Sequence, residues 1–211
     1  MAEPSPGQES SLVELAAVMA RLRAECAWKA QQTHRSLARY LLEETHETVE
    51  AIESGDPDHL REELGDLLLQ VYFHAAIAAE AGEYDVEDVA TDLIAKLVRR
   101  NPHVFGDSTA TTPEEINEAW ETIKRTEKRR SHPAEGIPAS LPALLYADKV
   151  VDRVQRADGP ITPAGDGIGD RLLGLVLEAH AAGVDPEQEL RDAVRRVLAS
   201  SERSVLPDSG V

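Results

Sequence analysis

Residues 37–71 decide the fold and read LARYLLEETHETVEAIESGDPDHLREELGDLLLQV. Apolar side chains recur every three or four positions on both sides of the central SGDP segment (54–57), which is typical of amphipathic helices. The expected inward face of the first helix carries Leu37, Leu41, Thr48 and Ile52, and the expected buried stripe of the second is Leu60, Leu64, Leu67, Val71 and Ala75. Gly commonly ends a helix and Pro cannot continue one, so this segment predicts a break between two helices. We expect helices over 33–53 and 58–81, with Asp58 as the second N-cap. The short turn makes them antiparallel neighbours.

The rest of the chain shows the same helical period. No segment alternates apolar and polar residues as a half-buried strand does. Aromatic residues make up only 4% of the chain, while Ala, Leu, Glu and Arg are abundant, and this composition also favours helix over sheet. The sequence therefore predicts an all-α fold. Further helices are expected over 11–25, 86–100, 113–130, 144–157, 171–182 and 186–200.

Composition along the chain predicts four segments. Residues 1–10 are rich in Pro, Gly, Ser and Gln and are expected to form a disordered lead. Residues 11–131 carry the chemistry-bearing motifs and are expected to form the catalytic domain. Residues 132–143 hold three prolines and a glycine and are expected to be a linker. Residues 144–211 are expected to form a small helical C-terminal segment.

Charge and cysteine content limit the classes of partner. The 211-residue chain carries a net charge of −17, which argues against a nucleic-acid-binding protein. Cys26 is the single cysteine, so no intrachain disulfide can form, which suits a reducing compartment. The N-terminus lacks the apolar core of a signal peptide, and no apolar run is long enough to span a bilayer. We expect a cytoplasmic protein without nucleic-acid or membrane partners.

The strongest chemical signal is a pair of acidic motifs on the two central helices. Glu44 and Glu47 are three residues apart and share one helix face, as do Glu63 and Asp66. Glu44 also follows the apolar stripe that includes Leu41, so the carboxylates should converge between the helices. Crowded, partly dehydrated carboxylates repel one another and need a cation. An all-oxygen set suits Mg²⁺.

Other interpretations of the acidic residues are weaker. Either acidic pair alone would usually be a solvated helix face, but two pairs on consecutive helices favour a metal site. Glu43 and His46 have the Glu-x-x-His spacing of di-iron carboxylate bundles. Such bundles need a second pair of this kind, and Val71 stands three residues before His74 where a carboxylate would be required. Di-iron chemistry is therefore disfavoured.

Basic and aromatic residues suggest where a nucleotide would bind. Lys96, Arg99 and Arg100 share one face of the predicted helix 86–100 and could hold a polyphosphate, although cations at a helix C-terminus also simply oppose the helix dipole. Trp120 precedes Lys124 by one turn, so the ring could stack a base beside a phosphate-binding cation. A core position for Trp120 is the alternative.

Several motifs, taken in order, resemble a MazG domain and extend the similarity over about residues 12–157. They are CAWKAQQTHRSL (26–37), EETHE (43–47), ELGDLLLQV (63–71), RRNPHVF (99–105) and WETIK (120–124). The chain departs from the usual family pattern at Lys29, where Asp is common, and at Asn101, where His is common. Neither departure touches the four acidic positions, but base or sugar preference could differ.

The resemblance implies a dimeric, helical MazG-like bundle that hydrolyses nucleoside triphosphates between the α and β phosphates. The expected products are the nucleoside monophosphate and pyrophosphate, the expected cofactor is Mg²⁺ with Mn²⁺ as a substitute, and the expected role is housecleaning of the nucleotide pool. By motif, the metal ligands would be Glu44, Glu47, Glu63 and Asp66. The nucleotide contacts would be Trp28, Lys96, Arg99, Arg100, Trp120 and Lys124.

Glu43 lies outside the four expected ligands, and we hypothesise that it orients the attacking water. If so, Glu43→Gln lowers turnover with little change in Mg²⁺ affinity.

The C-terminal part resembles a second, degenerate MazG copy. IGDRLLGLV (168–176) is similar to LGDLLLQV (64–71), but Gly167 stands where a Glu ligand would be, and no Glu-Glu-x-x-Glu motif precedes it. We therefore expect one active site per chain, with 144–200 as structural support.

Two rival functions stay open at this point. One is a narrower dUTP-type or phosphoribosyl-ATP pyrophosphohydrolase, against which the RRNPHVF segment argues. The other is a non-catalytic helical oligomerisation scaffold, which would tolerate replacement of Glu47 or Asp66.

Overall fold

The computed structural model describes residues 10–127 and 131–205, and all regular secondary structure within these ranges is helical. The all-α prediction is confirmed. The predicted lead lies outside the described residues except for Ser10, which caps the first helix. The helices are α1 (Ser11–Glu25), α2 (Ala27–Ala30), α3 (His34–Ser54), α4 (Pro57–Glu80), α5 (Val86–Arg100), α6 (Pro102–Phe105), α7 (Pro113–Glu127), α8 (Ala143–Asp158), α9 (Ile168–Ala181) and α10 (Pro186–Val205).

The hairpin of α3 and α4 is the centre of the fold, and local sequence sets its ends. Thr33 caps α3 in a reciprocal capping box, and Gly55 ends it with a positive φ of 72°, a conformation that glycine adopts without strain. The N-cap of α4 is Asp56 rather than the predicted Asp58. Pro57 fits the first helical position because its fixed φ is helical and its missing N–H has no partner to lose there.

The core of this region lies where α1 and α3 pack against α4. Met19, Leu37, Tyr72 and Phe73 are the buried residues of the cluster. The predicted apolar stripes are only partly correct, because some of their members remain exposed: Leu41, Ile52, Leu64 and Val71. The periodicity predicts the helices, but it does not predict which of their apolar residues are buried within a single chain.

A buried arginine ties α1 to the end of α4. The side chain of Arg23 is 7% exposed, and its Nε donates to Oε1 of Glu80 at 2.7 Å. Its guanidinium also donates to the backbone carbonyls of Lys29 and Gln32. Hydrogen bonding to Arg23 lowers the pKa of Glu80, so this carboxylate stays ionised beside the buried cation. The pair therefore links three parts of the chain around one charge.

Glu80→Ala is expected to lower the free energy of unfolding by about 1–2 kcal/mol, because it leaves a buried guanidinium without its counter-charge. The cost stays below that of a fully buried pair because the Glu80 side chain is half exposed. Urea unfolding of the variant measures the change. Glu83→Ala, at an exposed neighbouring position, is the control. Equal effects of the two substitutions would contradict this role for Glu80.

A pair of histidines links α3 to α4. The rings of His34 and His74 stack in parallel, with their Nδ1 atoms 2.7 Å apart. Only one proton fits between these two atoms, so the contact excludes a doubly charged pair. Burial, and then the charge of His34, lower the pKa of His74. The unfolded chain therefore binds a proton at His74 more readily than the folded chain does.

The His74 contribution to stability is expected to be present above the pKa of an unfolded histidine, about 6.5, and to be lost as the pH falls below it. Thermal unfolding should therefore show that the stability of His74→Phe falls less between pH 7.5 and 5.5 than the stability of the unchanged protein does. His103→Phe serves as a control and should retain the full loss. An unchanged pH profile in His74→Phe would rule out this linkage.

The structure divides into two compact units, one up to Glu121 and one from Thr122, so that the division falls within α7. In the second unit, α8, α9 and α10 pack together around the buried Val151 and Val176. His180 of α9 contacts Asp148 of α8 at 2.8 Å. The domain boundary after 131 stays a prediction, and the predicted linker 132–143 lies inside the second unit.

Among the helices described, none is both long enough and apolar enough to cross a membrane.

Candidate metal and nucleotide site

Three carboxylates converge between α3 and α4. Glu44 comes from α3, and Glu63 and Asp66 come from successive turns of α4. Each offers an oxygen atom, and these atoms lie within 4.8 Å of one another. All three residues are partly buried, so water screens their mutual repulsion less than it would on an open surface. We call these three residues the acidic cluster.

The electrostatics of the cluster match those of a cation site. The pKa of Glu44 is raised, first by burial and then by the charges of Asp66, Glu47 and Glu63. Glu47 is exposed and lies outside the group of three, but its carboxylate contributes to the raised pKa of Glu44. An all-carboxylate donor set is the chemistry that Mg²⁺ or Mn²⁺ prefers. The residues present therefore fit a hard divalent cation.

Two residues that the sequence analysis missed support the cluster. Thr48 is buried, and its Oγ1 donates to the carbonyl of Glu44 at 2.7 Å and approaches the carbonyl of Glu63 at 3.5 Å. His59 places its Nε2 3.3 Å from Oε1 of Glu63. His59 lies four residues before Glu63, a spacing that could have identified it. Thr48 was read only as part of an apolar face.

Glu43 is not one of the three residues of the acidic cluster. Its side chain is 54% exposed, and its carboxylate lies 3.7 Å from the Arg39 guanidinium one turn earlier on α3. Glu43 is therefore more exposed than its neighbour Glu44, which is partly buried in the acidic cluster.

An aromatic pair lies one helical turn from the acidic cluster. Trp28 is 50% exposed, and its ring packs edge-on against Tyr40 at a centroid distance of 6.0 Å. Tyr40 precedes Glu44 by four residues on α3, so the two share a helix face. Lys29 places its Nζ 5.5 Å from the Trp28 ring. The structure thus leaves an accessible aromatic ring, with a cation beside it, against a residue one turn before Glu44. The i, i+4 spacing of Tyr40 and Glu44 could have identified Tyr40 as well.

The other predicted nucleotide contacts lie on α5 and α7. Lys96 and Arg99 are exposed on α5, and Arg100 at its end lies over the Trp120 ring, 5.6 Å from the centroid. Lys124 follows Trp120 by one turn of α7 and belongs to the second unit. Trp120 is half buried, and the cation that its ring contacts is the Arg100 guanidinium. The roles of these residues toward a nucleotide stay predictions.

Comparison with known proteins decides the family. The MazG nucleotide pyrophosphohydrolase domain matches residues 32–105, which include the whole acidic cluster. The nucleoside triphosphate pyrophosphohydrolase of Escherichia coli K12 is 40% identical over 190 residues, covering 84% of this chain and 72% of that protein. The chain belongs to the MazG family. The MazG pyrophosphohydrolase/pyrophosphatase of Thermotoga maritima is 38% identical, with 88% of this chain and 82% of that protein covered.

One of the relatives is much longer than this chain. The nucleoside triphosphate pyrophosphohydrolase of Mycobacterium tuberculosis is 41% identical over 193 residues, which cover 90% of this chain but only 57% of that protein. This chain therefore spans little more than half of the mycobacterial relative.

Proposed function

We propose that this MazG protein hydrolyses nucleoside triphosphates between the α and β phosphates, with Mg²⁺ as cofactor and Mn²⁺ as a substitute. The acidic cluster carries the proposal, because its three carboxylates have oxygen atoms within 4.8 Å of one another, an arrangement that could hold a divalent cation. The names of the Escherichia coli and Thermotoga maritima relatives support the reaction class. The proposed role is removal of unwanted nucleotides from the cellular pool.

In the proposed reaction, the oxygen of a water molecule bonds to the α-phosphorus, and the bond from this phosphorus to the α,β-bridging oxygen breaks. The electron pair of the broken bond leaves with pyrophosphate, and the proton lost by the attacking water passes to the solvent. A bound divalent cation would stabilise charge on the attacking and leaving oxygens. Glu44, Glu47, Glu63 and Asp66 would hold it. Glu43 remains the proposed water-orienting residue, and Glu43→Gln tests that role.

The remaining substrate contacts are proposed from charge and ring position. Lys96, Arg99 and Arg100 would neutralise the departing pyrophosphate, since cations aimed at developing negative charge lower the barrier. Trp28, Trp120 and Lys124 would contact the nucleoside and its phosphates. The half-exposed Trp28 ring packs against Tyr40, which lies one turn before Glu44 on α3, and this position supports a base-binding role for Trp28.

A panel of ribo- and deoxyribonucleoside triphosphates tests the proposal. The protein is incubated with each compound in Mg²⁺ and in excess chelator, and the products are separated by anion exchange. We expect monophosphate and pyrophosphate only with the metal, and the ranking gives base and sugar preference. Activity confined to dUTP would favour the narrower enzyme. Release of diphosphate and orthophosphate, or no release, would refute the proposed reaction.

We further propose a cytoplasmic homodimer. An amphipathic face of α5 supports the dimer, because it leaves several large apolar residues exposed in one chain: Val89, Leu93, Ile94, Leu97 and Val98. Sedimentation velocity of the protein and of Leu97→Glu tests this. A dimer that the substitution converts to monomer is the expected result, whereas a monomeric unchanged protein would refute the dimer.

The second unit is proposed to be a degenerate MazG copy. Its α9 starts at Ile168, directly after Gly167, which occupies the position of the missing ligand. We propose that the chain has a single active site, in the first unit, and that residues 144–200 serve as structural support.

A further inference from the structure

A buried glutamine on α4 has no hydrogen-bond partner for its amide oxygen. Gln70 is only 4% exposed, and its Oε1 is buried without a partner. A buried polar atom that has lost its water and gained no replacement destabilises the folded protein. The residues that surround Gln70 in the structure therefore do not account for its polar group.

The position of Gln70 connects it to the acidic cluster. It follows Asp66 by four residues and Glu63 by seven on α4, and residues at these spacings share one helix face. Side chains on a helix lean toward its N-terminus, which for Gln70 is the direction of Asp66. The unpartnered oxygen is thus the next polar group along the helix face that presents the two carboxylates of α4.

The water molecules of a hydrated cation would supply the hydrogen-bond donor that this oxygen lacks. Mg²⁺ and Mn²⁺ bound by a few carboxylates keep several water molecules, and the hydrogens of those waters need acceptors outside the metal's own ligands. Gln70 offers a neutral acceptor that adds no negative charge to an already crowded cluster.

We propose that Gln70 is a positioning residue whose Oε1 accepts a hydrogen bond from a water molecule on the divalent cation held by Glu44, Glu63 and Asp66. This inference rests on the cation site of the proposed function. Gln70 would act through that water, fixing the orientation of the water and the affinity for the cation.

A purely structural role for Gln70 predicts that its substitution lowers the Tm, whereas the proposed role predicts no such loss. Leu is an apolar residue of broadly similar volume to Gln, so Gln70→Leu removes the unsatisfied buried oxygen and is expected to leave the Tm unchanged or higher. A residue that lowers stability while improving binding is typical of functional sites.

The test measures Mn²⁺ affinity by electron paramagnetic resonance of the free ion, with no nucleotide present. Gln70→Leu is expected to weaken Mn²⁺ binding about 10-fold or more, the usual cost of losing a hydrogen-bond partner of a metal's ligand shell. Relaxation of water protons by the bound Mn²⁺ should also change, because the orientation and exchange of its waters change. Gln155→Leu, the same substitution on α8 in the second unit, is the matched control and should alter neither quantity.

Two results would overturn the proposal. One is Mn²⁺ affinity and water relaxation in Gln70→Leu that match those of the unchanged protein. The other is a large drop in Tm, which would assign Gln70 a structural role. Both are measured without turnover, so they stand even if no triphosphate in the panel is hydrolysed.

Discussion

Glu63→Gln is expected to reduce triphosphate hydrolysis at least about 100-fold with the fold intact, because a cation ligand is worth several kcal/mol of transition-state stabilisation. The substitution keeps the side-chain shape but removes one charge from the group that raises the pKa of Glu44. The metal-free Tm should therefore stay equal or rise. Steady-state kinetics and thermal unfolding give the two readouts.

Glu62→Gln is the matched control for this prediction. Glu62 is the neighbouring residue on α4, has the same chemistry and is exposed outside the acidic cluster. We expect its turnover to remain within about twofold of the unchanged protein, since exposed charges contribute little. Comparable losses of turnover in Glu62→Gln and Glu63→Gln would show that activity depends on the overall negative charge of the protein rather than on the acidic cluster.

The second large effect is the response of stability to the metal. A ligand that binds only the folded state at 100 times its Kd stabilises that state by about 2.7 kcal/mol. For a chain of this size, that corresponds to a rise in Tm of roughly 5–10 °C. We expect this rise when Mg²⁺ or Mn²⁺ is added to chelator-treated protein, and loss of all turnover in excess chelator.

Ionic strength is the necessary control, because the chain carries a net charge of −17 and any salt screens its self-repulsion. NaCl at matched ionic strength should reproduce only a small part of the rise in Tm. In Glu63→Gln, the part of the rise that only Mg²⁺ or Mn²⁺ produces should be mostly lost. A rise that NaCl reproduces in full would argue against a specific cation site.

Local signals predicted the framework well, and the reason is visible in the central hairpin. Gly55 and Pro57 act within a few residues of themselves, so the ends of α3 and α4 could be placed to within one or two positions. The carboxylate spacings likewise act along a single helix, and the short turn converts them into a shared site. The cluster of Glu44, Glu63 and Asp66 was therefore accessible from sequence.

Features that depend on packing between segments were not predictable in the same way. Periodicity does not distinguish apolar residues buried in one chain from those left exposed, and Leu64 is half exposed where burial was expected. The ring contact of Trp28 with Tyr40 joins α2 to α3, and the Arg23–Glu80 pair joins residues far apart in sequence. The short helices α2 and α6 were not predicted, because single turns carry too little periodicity.

Hydrolysis in ¹⁸O-labelled water tests the central claim, that water attacks the α-phosphorus of a nucleoside triphosphate at the acidic cluster. The labelled products formed with Mg²⁺ are analysed by mass spectrometry, with Glu63→Gln run in parallel. We predict one ¹⁸O atom in the monophosphate, none in the pyrophosphate, and no labelled product above background from the variant. Label in the pyrophosphate, or undiminished labelling by Glu63→Gln, would contradict the account.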